Sequence, residues 1–352
     1  MNSSDKPREK GFYFPAEWEQ HESTWLSYPH NENSWPGKIH AVFPGYHEFI
    51  ATLAKSEKVH INVMNEAMRA YVNQQLLAKG VDMGQIYFHY FPTNDAWIRD
   101  HGPAFVINPD MGEKAVVDWR YNAWGGKYPY EMDDEIPGRV AEYLGLHRFV
   151  SDLIMEGGSI DVNGKGTLLT TTACLLNENR NAEYSQGEIE EALCDYYGVE
   201  KIIWLGDGID GDDTDGHVDD ITRFVNEDTV VTVVEPNEND TNHTPLKENL
   251  KTLNKARLQN GKQMNVVELP MPRPIYYEDQ RLPASYANFY IANGVVIVPL
   301  YKDNNDDKAM QILEECFSDR KIIGIDSMEI IWGLGSFHCL SQQEPLLSNS
   351  NQ

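Results

Sequence analysis

The chain has 352 residues, of which 41% are hydrophobic, so it is long enough to bury the core of one large α/β domain. It carries 29 lysines and arginines against 55 aspartates and glutamates, which gives a formal net charge of −26 at pH 7. Such an acidic surface argues against nucleic acids and anionic membranes as partners and attracts cations. Solubility accounts for most of this charge, and an acidic pocket for a cationic ligand would use a small part of it.

The termini and the cysteines bear on the compartment and on the domain organisation. The N-terminal segment MNSSDKPR is polar and lacks the apolar run of a signal peptide, and no stretch approaches about 20 consecutive apolar residues. The four cysteines form no Cys-x-x-Cys pair, and so few in a long chain argue against a disulfide framework. We therefore expect a cytoplasmic location and a single domain over residues 1–352, with an ordered core at about 10–345 between short polar tails.

The predicted elements alternate between hairpins and helices along the chain. A first strand is predicted near residues 23–28 and a helix at 46–53, where apolar residues recur with helical spacing. Four strand–turn–strand patterns follow, in which short apolar runs flank turn residues such as Asn163-Gly164. These hairpins are predicted at residues 104–119, 159–171, 221–233 and 288–298.

Further helices are predicted between the hairpins, at residues 136–144, 187–197 and 306–317. Ser185 and Glu188 have the spacing of a capping box before the second of these helices, and Gly198 follows its end. The unit of hairpin and helix repeats about every sixty residues, which is typical of repeat folds that close around an axis. We therefore predict an α/β fold of about five such units.

An ionisable residue, in most cases next to glycine, precedes the hairpin in several units. Asp100 precedes the first hairpin, Glu156 the second and His217 the third, while Cys339 lies in the last unit. The separations are 56 residues from 100 to 156, 61 from 156 to 217, and 122, about two units, from 217 to 339. Each residue alone has an ordinary explanation, such as a buried thiol or a turn. Because equivalent positions converge in a closed repeat fold, the four in register predict one site.

Two histidines could serve Cys339 as a base, and the local pattern favours one of them. His338 is adjacent to Cys339, and neighbours on an extended chain point to opposite faces. If residues 217–219 form a strand, His217 and Asp219 share one face, so that the carboxylate can support the imidazole. His217 is therefore the predicted base.

A thiol, a histidine and several carboxylates together suit attack on a planar, cationic guanidinium, which carboxylates recognise well. Cys339 would attack the central carbon, and His217 would protonate the departing amine and then activate water. We expect the acidic surroundings to raise the pKa of the Cys339 thiol in the empty site. The bound cation would then help to form the thiolate.

Longer motifs give the chain a resemblance to a known family. They lie at residues 15–19 (PAEWE), 93–103 (TNDAWIRDHGP), 122–128 (NAWGGKY), 156–158 (EGG), 213–219 (DTDGHVD), 286–290 (YANFY) and 332–343 (WGLGSFHCLSQQ). Through these motifs, which cover nearly the whole chain, it resembles the agmatine deiminase family of the guanidino-group-modifying (pentein) superfamily. One departure is Leu334, which replaces the middle one of three glycines that members often carry; we expect it to alter packing and not mechanism.

The resemblance implies a fold, a reaction and partners. The fold is a five-unit pseudo-symmetric α/β propeller. The reaction is the hydrolysis of agmatine to N-carbamoylputrescine and ammonia through a covalent cysteine thiouronium intermediate, as part of polyamine metabolism. The implied partner is a small cationic guanidine, and a homo-oligomer is plausible from the family. Neither a cofactor nor a metal is implied.

The resemblance also assigns roles to individual residues. Cys339 matches the nucleophile and His217 the general acid and base. Glu156, Asp219 and Asp100 match the carboxylates that hold the guanidinium and support the histidine. The predicted substrate-binding residues are Asp95, Trp97, Trp124, Asp213 and Gly335.

Two questions stay open at this point, the guanidine substrate and the carboxylate that meets it. Free arginine and peptidylarginine are alternatives, because bacterial peptidylarginine deiminases share these motifs. An arginine site needs a basic partner for the α-carboxylate, whereas an agmatine site would present acidic or aromatic groups, for which Asp212, Asp213 and Trp124 are candidates. Either Asp95 or Asp100 could contact the guanidinium.

A function of a different class uses some of the same residues. In a metal-binding protein, zinc could be held by His217, Asp219, Glu156 and Cys339. Their spacing matches no zinc signature, and the set has more carboxylates than a structural zinc site usually has. We therefore predict no metal ligand.

Overall fold

The strands of the computed structural model, which describes residues 6–347, are short and repeat one pattern. They are β1 (His21–Ser27), β2 (Lys58–Asn62), β3 (Ile86–His89), β4 (Ala104–Asn108), β5 (Glu113–Arg120), β6 (His147–Ile154), β7 (Ile160–Val162), β8 (Thr167–Thr171), β9 (Lys201–Leu205), β10 (Thr222–Asn226), β11 (Thr229–Val234), β12 (Asn265–Pro270), β13 (Ile275–Tyr277), β14 (Gln280–Leu282), β15 (Tyr290–Ala292), β16 (Val295–Leu300), β17 (Lys321–Asp326) and β18 (Gln342–Pro345). Hydrogen bonding groups them into small sheets.

Four of these sheets have the same topology. They are β4-β5-β6, β7-β8-β9, β10-β11-β12 and β15-β16-β17. In each, the first two strands form an antiparallel hairpin, and the third strand pairs in parallel with the second after a helical crossover. The four predicted hairpins are thus confirmed. A two-stranded hairpin, β13-β14, lies outside the pattern.

The remaining sheet joins the two ends of the described chain. β1, β2 and β3 pair in parallel, and β18 pairs antiparallel with β1, where Trp25 lies opposite Gln342. β18 therefore takes the place of the first hairpin strand, and residues 6–347 contain five units, as predicted. The sequence interpretation placed Cys339 in the last unit, but its segment leads into β18 and completes the first one.

Helices connect the strands and cover the sheets. They are α1 (Ile39–Leu53), α2 (Glu66–Ala78), α3 (Ile98–His101), α4 (Ala123–Gly126), α5 (Ile136–Leu144), α6 (Thr172–Leu175), α7 (Glu178–Asn181), α8 (Gln186–Tyr197), α9 (His243–Lys255) and α10 (Asp306–Cys316). Between residues 6 and 347, none of them is long and apolar enough to cross a membrane.

The helix bounds follow the predictions closely, with explicable exceptions. α8 begins one residue early and has the predicted capping box of Ser185 and Glu188. α1 begins at Ile39 and not near residue 46, because Pro44 inside it interrupts the helical pattern in the sequence. α5 has the predicted bounds, although Tyr143, which periodicity places on its apolar face, is 52% exposed.

The middle strand of each unit lies in the core. Residues 230–233 of β11 and 296–298 of β16 are all 0% exposed. Such strands are hydrogen-bonded on both sides and covered on both faces, which explains their almost continuous runs of valine and isoleucine. These rigid strands fix the short segments that precede each unit.

Those segments carry most of the predicted site residues, while Trp124 lies in α4, in a crossover. α3 leads into β4, a 3-10 helix at Gly157–Ser159 leads into β7, and another at Val218–Asp220 leads into β10. The prediction of a strand at residues 217–219 is wrong. Gly216 has a φ of 103°, and the His217 N–H donates to Asp212 at 3.1 Å, so the chain turns here and the strand begins at Thr222.

Candidate active site

A pocket of about 440 Å³ opens where these segments meet. Seven of the ten residues predicted from the sequence line it: Asp95, Trp97, Asp100, Trp124, Asp213, Gly335 and Cys339. The other three, Glu156, His217 and Asp219, are fully buried next to the floor of the pocket. The fold thus brings all ten to one region, although they are spread over more than 240 residues of sequence, from Asp95 to Cys339.

Cys339 lies on the floor of this pocket and is 5% exposed. Its Sγ accepts a hydrogen bond from Nδ2 of Asn288 at 3.0 Å and lies 3.7 Å from Oδ2 of Asp219. Burial raises the pKa of the Cys339 thiol well above its usual range, and the carboxyl groups of Asp219, Asp220 and Asp100 raise it further. The Asn288 amide acts in the opposite sense. These surroundings therefore favour the protonated thiol.

Sequence interpretation gave Asn288 no role, although it recognised the motif around it. The segment before β15 is equivalent to those before β4, β7 and β10, and Asn288 lies in it. Its Oδ1 accepts the backbone N–H of His338 at 3.2 Å, so the same side chain fixes the cysteine segment and contacts the sulfur. The position of Asn288 in the repeat could have identified it, but the search considered ionisable groups.

His217 is surrounded by carboxylates. Its Nδ1 lies 3.6 Å from Oδ1 of Asp100 and 4.0 Å from Oδ1 of Asp219, and its Nε2 lies 3.8 Å from Oε2 of Glu156. Within the described residues, neither ring nitrogen has a hydrogen-bond partner. Burial alone would lower the pKa of His217, but the carboxylate of Asp100 above all raises it well beyond its usual range. The ring is therefore set to hold a proton that it can donate.

Asp100 connects the pocket to the histidine. Its Oδ2 accepts the indole N–H of Trp124 at 3.0 Å, and its Oδ1 accepts the backbone N–H of Gly158 at 2.9 Å. Burial raises the pKa of Asp100 to about 6, against the opposing effect of His217. Trp124 has a φ of 56°, in the left-handed region that such a residue rarely adopts. The strained turn aims its indole at Asp100.

Glu156 is paired inside the protein and does not line the pocket. Its Oε1 accepts a hydrogen bond from Nε of Arg180 at 2.7 Å, and both side chains are 0% exposed. The Sγ of Cys174 lies 3.8 Å from Oε2 of Glu156. Burial works against ionisation, yet the Arg180 guanidinium holds the pKa of Glu156 below its usual range. Arg180, which the sequence did not suggest, therefore keeps this carboxylate charged beside His217.

Asp95 forms part of the pocket wall farther from the histidine. It accepts hydrogen bonds from the hydroxyl of Ser34 and, at 3.0 Å, from Nδ2 of Asn31. Burial raises its pKa, and these donors oppose that effect. Because both Asp95 and Asp100 line the pocket, a bound cation can reach either of them.

Glycine is required where the cysteine segment passes Trp97. A Cβ atom on Gly335 would lie 2.7 Å from the Trp97 ring and 3.1 Å from Cβ of Cys339. Leu334, at the place of a glycine that family members often carry, has a φ of 69° in the left-handed region. Leucine in place of glycine at position 334, which we predicted to alter packing, thus changes the backbone strain of a turn that borders the pocket.

The mouth of the pocket is aromatic and acidic. The ring of Tyr277, in the β13-β14 hairpin, lies 3.9 Å from that of Trp332. Asp213 accepts a hydrogen bond from the hydroxyl of Tyr128 at 2.7 Å, and Nζ of Lys127 lies 3.5 Å from it. Among the pocket-lining residues in the described range, none is lysine or arginine.

The residues of the metal-binding alternative do not gather at one point. Within the described residues, possible ligand atoms within 4.8 Å of one another form two groups, Glu156 with Cys174 and His217, and Asp219 with Asp220 and Cys339. The four residues of that alternative are divided between them. Arg180 already supplies a cation to Glu156, through Oε1.

Comparisons with known proteins identify the family of the chain. The model of the Porphyromonas-type peptidyl-arginine deiminase family matches residues 13–345, and the chain belongs to this family. Its relatives include the agmatine deiminase of Pseudomonas aeruginosa, which is 35% identical over 98% of both chains. The agmatine deiminase of Enterococcus faecalis is similar in structure, with a TM-score of 0.92 and 33% identity over 99% of both chains. A C. jejuni agmatine deiminase, solved as a cysteine-to-serine variant with substrate bound, has a TM-score of 0.86 and 34% identity, over 95% of this chain and 96% of that one.

Proposed function

We propose that the protein hydrolyses agmatine to N-carbamoylputrescine and ammonia, with Cys339 as the nucleophile. One observation carries the choice of substrate: the pocket above Cys339 presents aspartates and aromatic rings and no basic side chain among its described lining residues. A guanidinium fits the acidic floor, and a second cationic group fits the mouth. The α-carboxylate of arginine would meet Asp213 there, and the nearby cation, Lys127, is already paired with Asp213 and Asp215.

The first half of the reaction transfers the amidine carbon to sulfur. A guanidinium beside Asp100 offsets the negative charge around Cys339, which lowers the free energy of forming the thiolate. The thiolate adds to the central carbon, and a C–S bond forms. His217, as the imidazolium, donates its proton to one amino group, the C–N bond breaks, and ammonia leaves.

The second half releases the product. The neutral imidazole of His217 takes a proton from water as the oxygen adds to the thiouronium carbon. The C–S bond then breaks, the hydroxyl proton passes to the leaving sulfur, and the carbonyl forms. The proton that the thiol lost at the start leaves through solvent with ammonia, as ammonium. In this proposal Glu156, held by Arg180, and Asp219 keep the imidazole oriented and favour its charged form between the two steps.

A substrate panel tests the proposal. Ammonia release would be measured with agmatine, free arginine and a peptidylarginine at equal concentrations. We expect turnover of agmatine to exceed that of the other two, because each of them places a carboxylate or a peptide at the acidic mouth. Comparable turnover of all three substrates would contradict the choice of agmatine.

Variants at two cysteines test the chemistry separately from the substrate. Cys339→Ser is expected to lower kcat by about 10⁴-fold or more, since removing a nucleophile removes the covalent route. Cys316→Ser, on α10 and half-buried away from the pocket, is the matched control and should keep wild-type activity. Activity that survives a chelator would argue against the zinc alternative. The cytoplasmic location and the homo-oligomer stay predictions.

A further inference from the structure

We propose that His338, the residue next to the nucleophile, is a positioning residue that holds Asp219 charged and aimed at the sulfur of Cys339, with Glu17 as its anchor. This inference rests on the proposed function and deepens it. It gives a role to the histidine that sequence interpretation set aside as a base, and it brings an N-terminal residue into the site.

The geometry is a chain of three buried groups. Nδ1 of His338 lies 2.6 Å from Oδ2 of Asp219, and Nε2 lies 2.8 Å from Oε2 of Glu17. The same Oδ2 of Asp219 lies 3.7 Å from Sγ of Cys339. His338 is 2% exposed and Asp219 is 0% exposed, so water competes little with these contacts.

The donors and acceptors define the charge on the ring. An ionised carboxylate can only accept hydrogen bonds, so two of them on one imidazole require both nitrogens to donate. The ring between Asp219 and Glu17 is therefore an imidazolium. Hydrogen bonds in which both partners are charged are roughly twice as strong as neutral ones. His338 thus supplies a cation that the pocket lining lacks.

Asp219 depends on such a cation because it is crowded by acidic groups. The acidic groups that face Asp219 and disfavour its charge are Asp100, Asp212, Asp220 and Cys339. The basic groups that favour its charge are His217, His338 and Arg223. Burial alone would raise the pKa of Asp219. The hydrogen bond from His338 is the largest of the opposing effects, and the pKa of Asp219 lies below its usual range.

Glu17 is itself fixed, so it can anchor the ring. Its Oε2 accepts from Nη2 of Arg223 at 2.7 Å and lies 3.6 Å from Nη2 of Arg99. Its Oε1 accepts the backbone N–H of Ile291 at 2.7 Å. Residues 337–340 form a turn, which directs the His338 ring towards these groups. The extended chain that was assumed when His338 was set aside as a base is therefore wrong. The ring still does not line the pocket.

The variant His338→Asn tests the role, because its amide can still donate to Asp219 but carries no charge. Without the cation, the pKa of Asp219 should rise. Both Asp100, whose pKa is about 6, and Asp219 must be ionised beside a cationic substrate. The rise should bring the titration of Asp219 into the range of Asp100 and so move the acid limb of kcat/KM against pH to higher pH, with kcat/KM near its midpoint about 10-fold lower. Glu17→Gln keeps an acceptor for Nε2 and should move the limb in the same direction by less.

The control is His47→Asn, another buried histidine, which bonds the hydroxyl of Tyr28 at 2.9 Å outside the pocket. It should lower stability without moving the acid limb. If His338→Asn fails to fold, the profile of Glu17→Gln decides. A wild-type acid limb in the folded variants would show a merely structural role and overturn the inference while the proposed function stands. A wild-type protein that hydrolyses no guanidine would overturn both.

Discussion

At the scale of single residues, the surroundings of Cys339 act on its thiol in opposite senses. Asn288 donates a hydrogen bond to the sulfur, while burial and three nearby carboxyl groups disfavour the thiolate. Burial and the carboxyl groups together outweigh the hydrogen bond from Asn288, so the pKa of the thiol is raised. A nucleophile in such a place becomes reactive when a cation enters, so its reactivity is tied to the charge of the ligand.

This balance predicts a slow thiol in the free protein. We expect alkylation of Cys339 by iodoacetamide to rise with pH and to reach its midpoint above the usual range of a thiol, because burial and the carboxyl groups raise the pKa. Mass spectrometry of the modified peptide measures the rate of alkylation at this site. The Cys339→Ser variant, which lacks the thiol, shows which adduct belongs to Cys339. A midpoint below neutral pH would contradict the role assigned to the carboxyl groups.

The sequence suggested the charged residues of the site but not their partners. Asp100, Glu156, His217 and Cys339 were found because an ionisable residue recurs in the repeat. Arg180 was missed because it reaches Glu156 from α7, in the crossover and not before a hairpin. Contacts between crossovers and turns depend on how helices lie on the sheets, and no spacing in the sequence expresses that.

At the scale of elements, the segment between Glu156 and β7 is shaped by a contact that only glycine permits. A Cβ atom on Gly158 would lie 2.6 Å from Nδ1 of His217, 2.7 Å from Oδ1 of Asp100 and 3.0 Å from Oδ2 of Asp219. Real Cβ contacts of this kind are essentially never shorter than about 3 Å. The glycine therefore lets three side chains of the candidate site, from two other units, approach one another.

Gly158→Ala should separate these groups. We expect kcat to fall by about 100-fold or more, because displacements near 1 Å in a catalytic arrangement have effects of that size. The free energy of unfolding should fall by about 1–3 kcal/mol from overpacking. Kinetics with agmatine and denaturant unfolding measure the two effects.

Gly187→Ala is the matched control for this prediction. Gly187 lies in α8, and a Cβ atom there would meet no heavy atom within 4 Å. Alanine should therefore keep activity and raise the free energy of unfolding by about 0.5–1 kcal/mol, because it favours the helix more than glycine does. Equal losses of activity in both variants would contradict the specific role of Gly158.

The elements themselves were largely predictable, and the exceptions have local causes. Hairpins with clear turn residues, such as Asn163-Gly164, were found because alternating or continuous apolar runs flank them. Residues 217–219 were predicted as a strand, since valine lies between two polar residues. The turn there depends on hydrogen bonds from the His217 N–H to Asp212 and Thr214, which a two-residue periodicity does not reveal.

At the scale of the whole molecule, β18 joins the last described residues to the first sheet. The number of units was predictable from the repeat length, but the origin of the first strand was not. β18 and β1 are separated by more than 300 residues, and β18 is four residues long, so its pattern is too short to identify a partner. This pairing also fixes Cys339, which precedes β18 by three residues.

Glu344 on β18 provides the last prediction, which concerns how the two ends of the chain hold together. Its carboxylate accepts from Ser23 at 2.6 Å and Trp25 at 3.0 Å and pairs with Lys114 at 2.5 Å, all largely buried. Glu344→Ala would remove this acceptor from Ser23 and Trp25 and leave Lys114 with the Pro345 carbonyl but no carboxylate, so the free energy of unfolding should fall by about 3–5 kcal/mol in denaturant titration. Glu248→Ala, which removes an exposed partner of Lys251, should leave the unfolding midpoint unchanged. Similar midpoints for both variants would show that β18 contributes little to closing the fold.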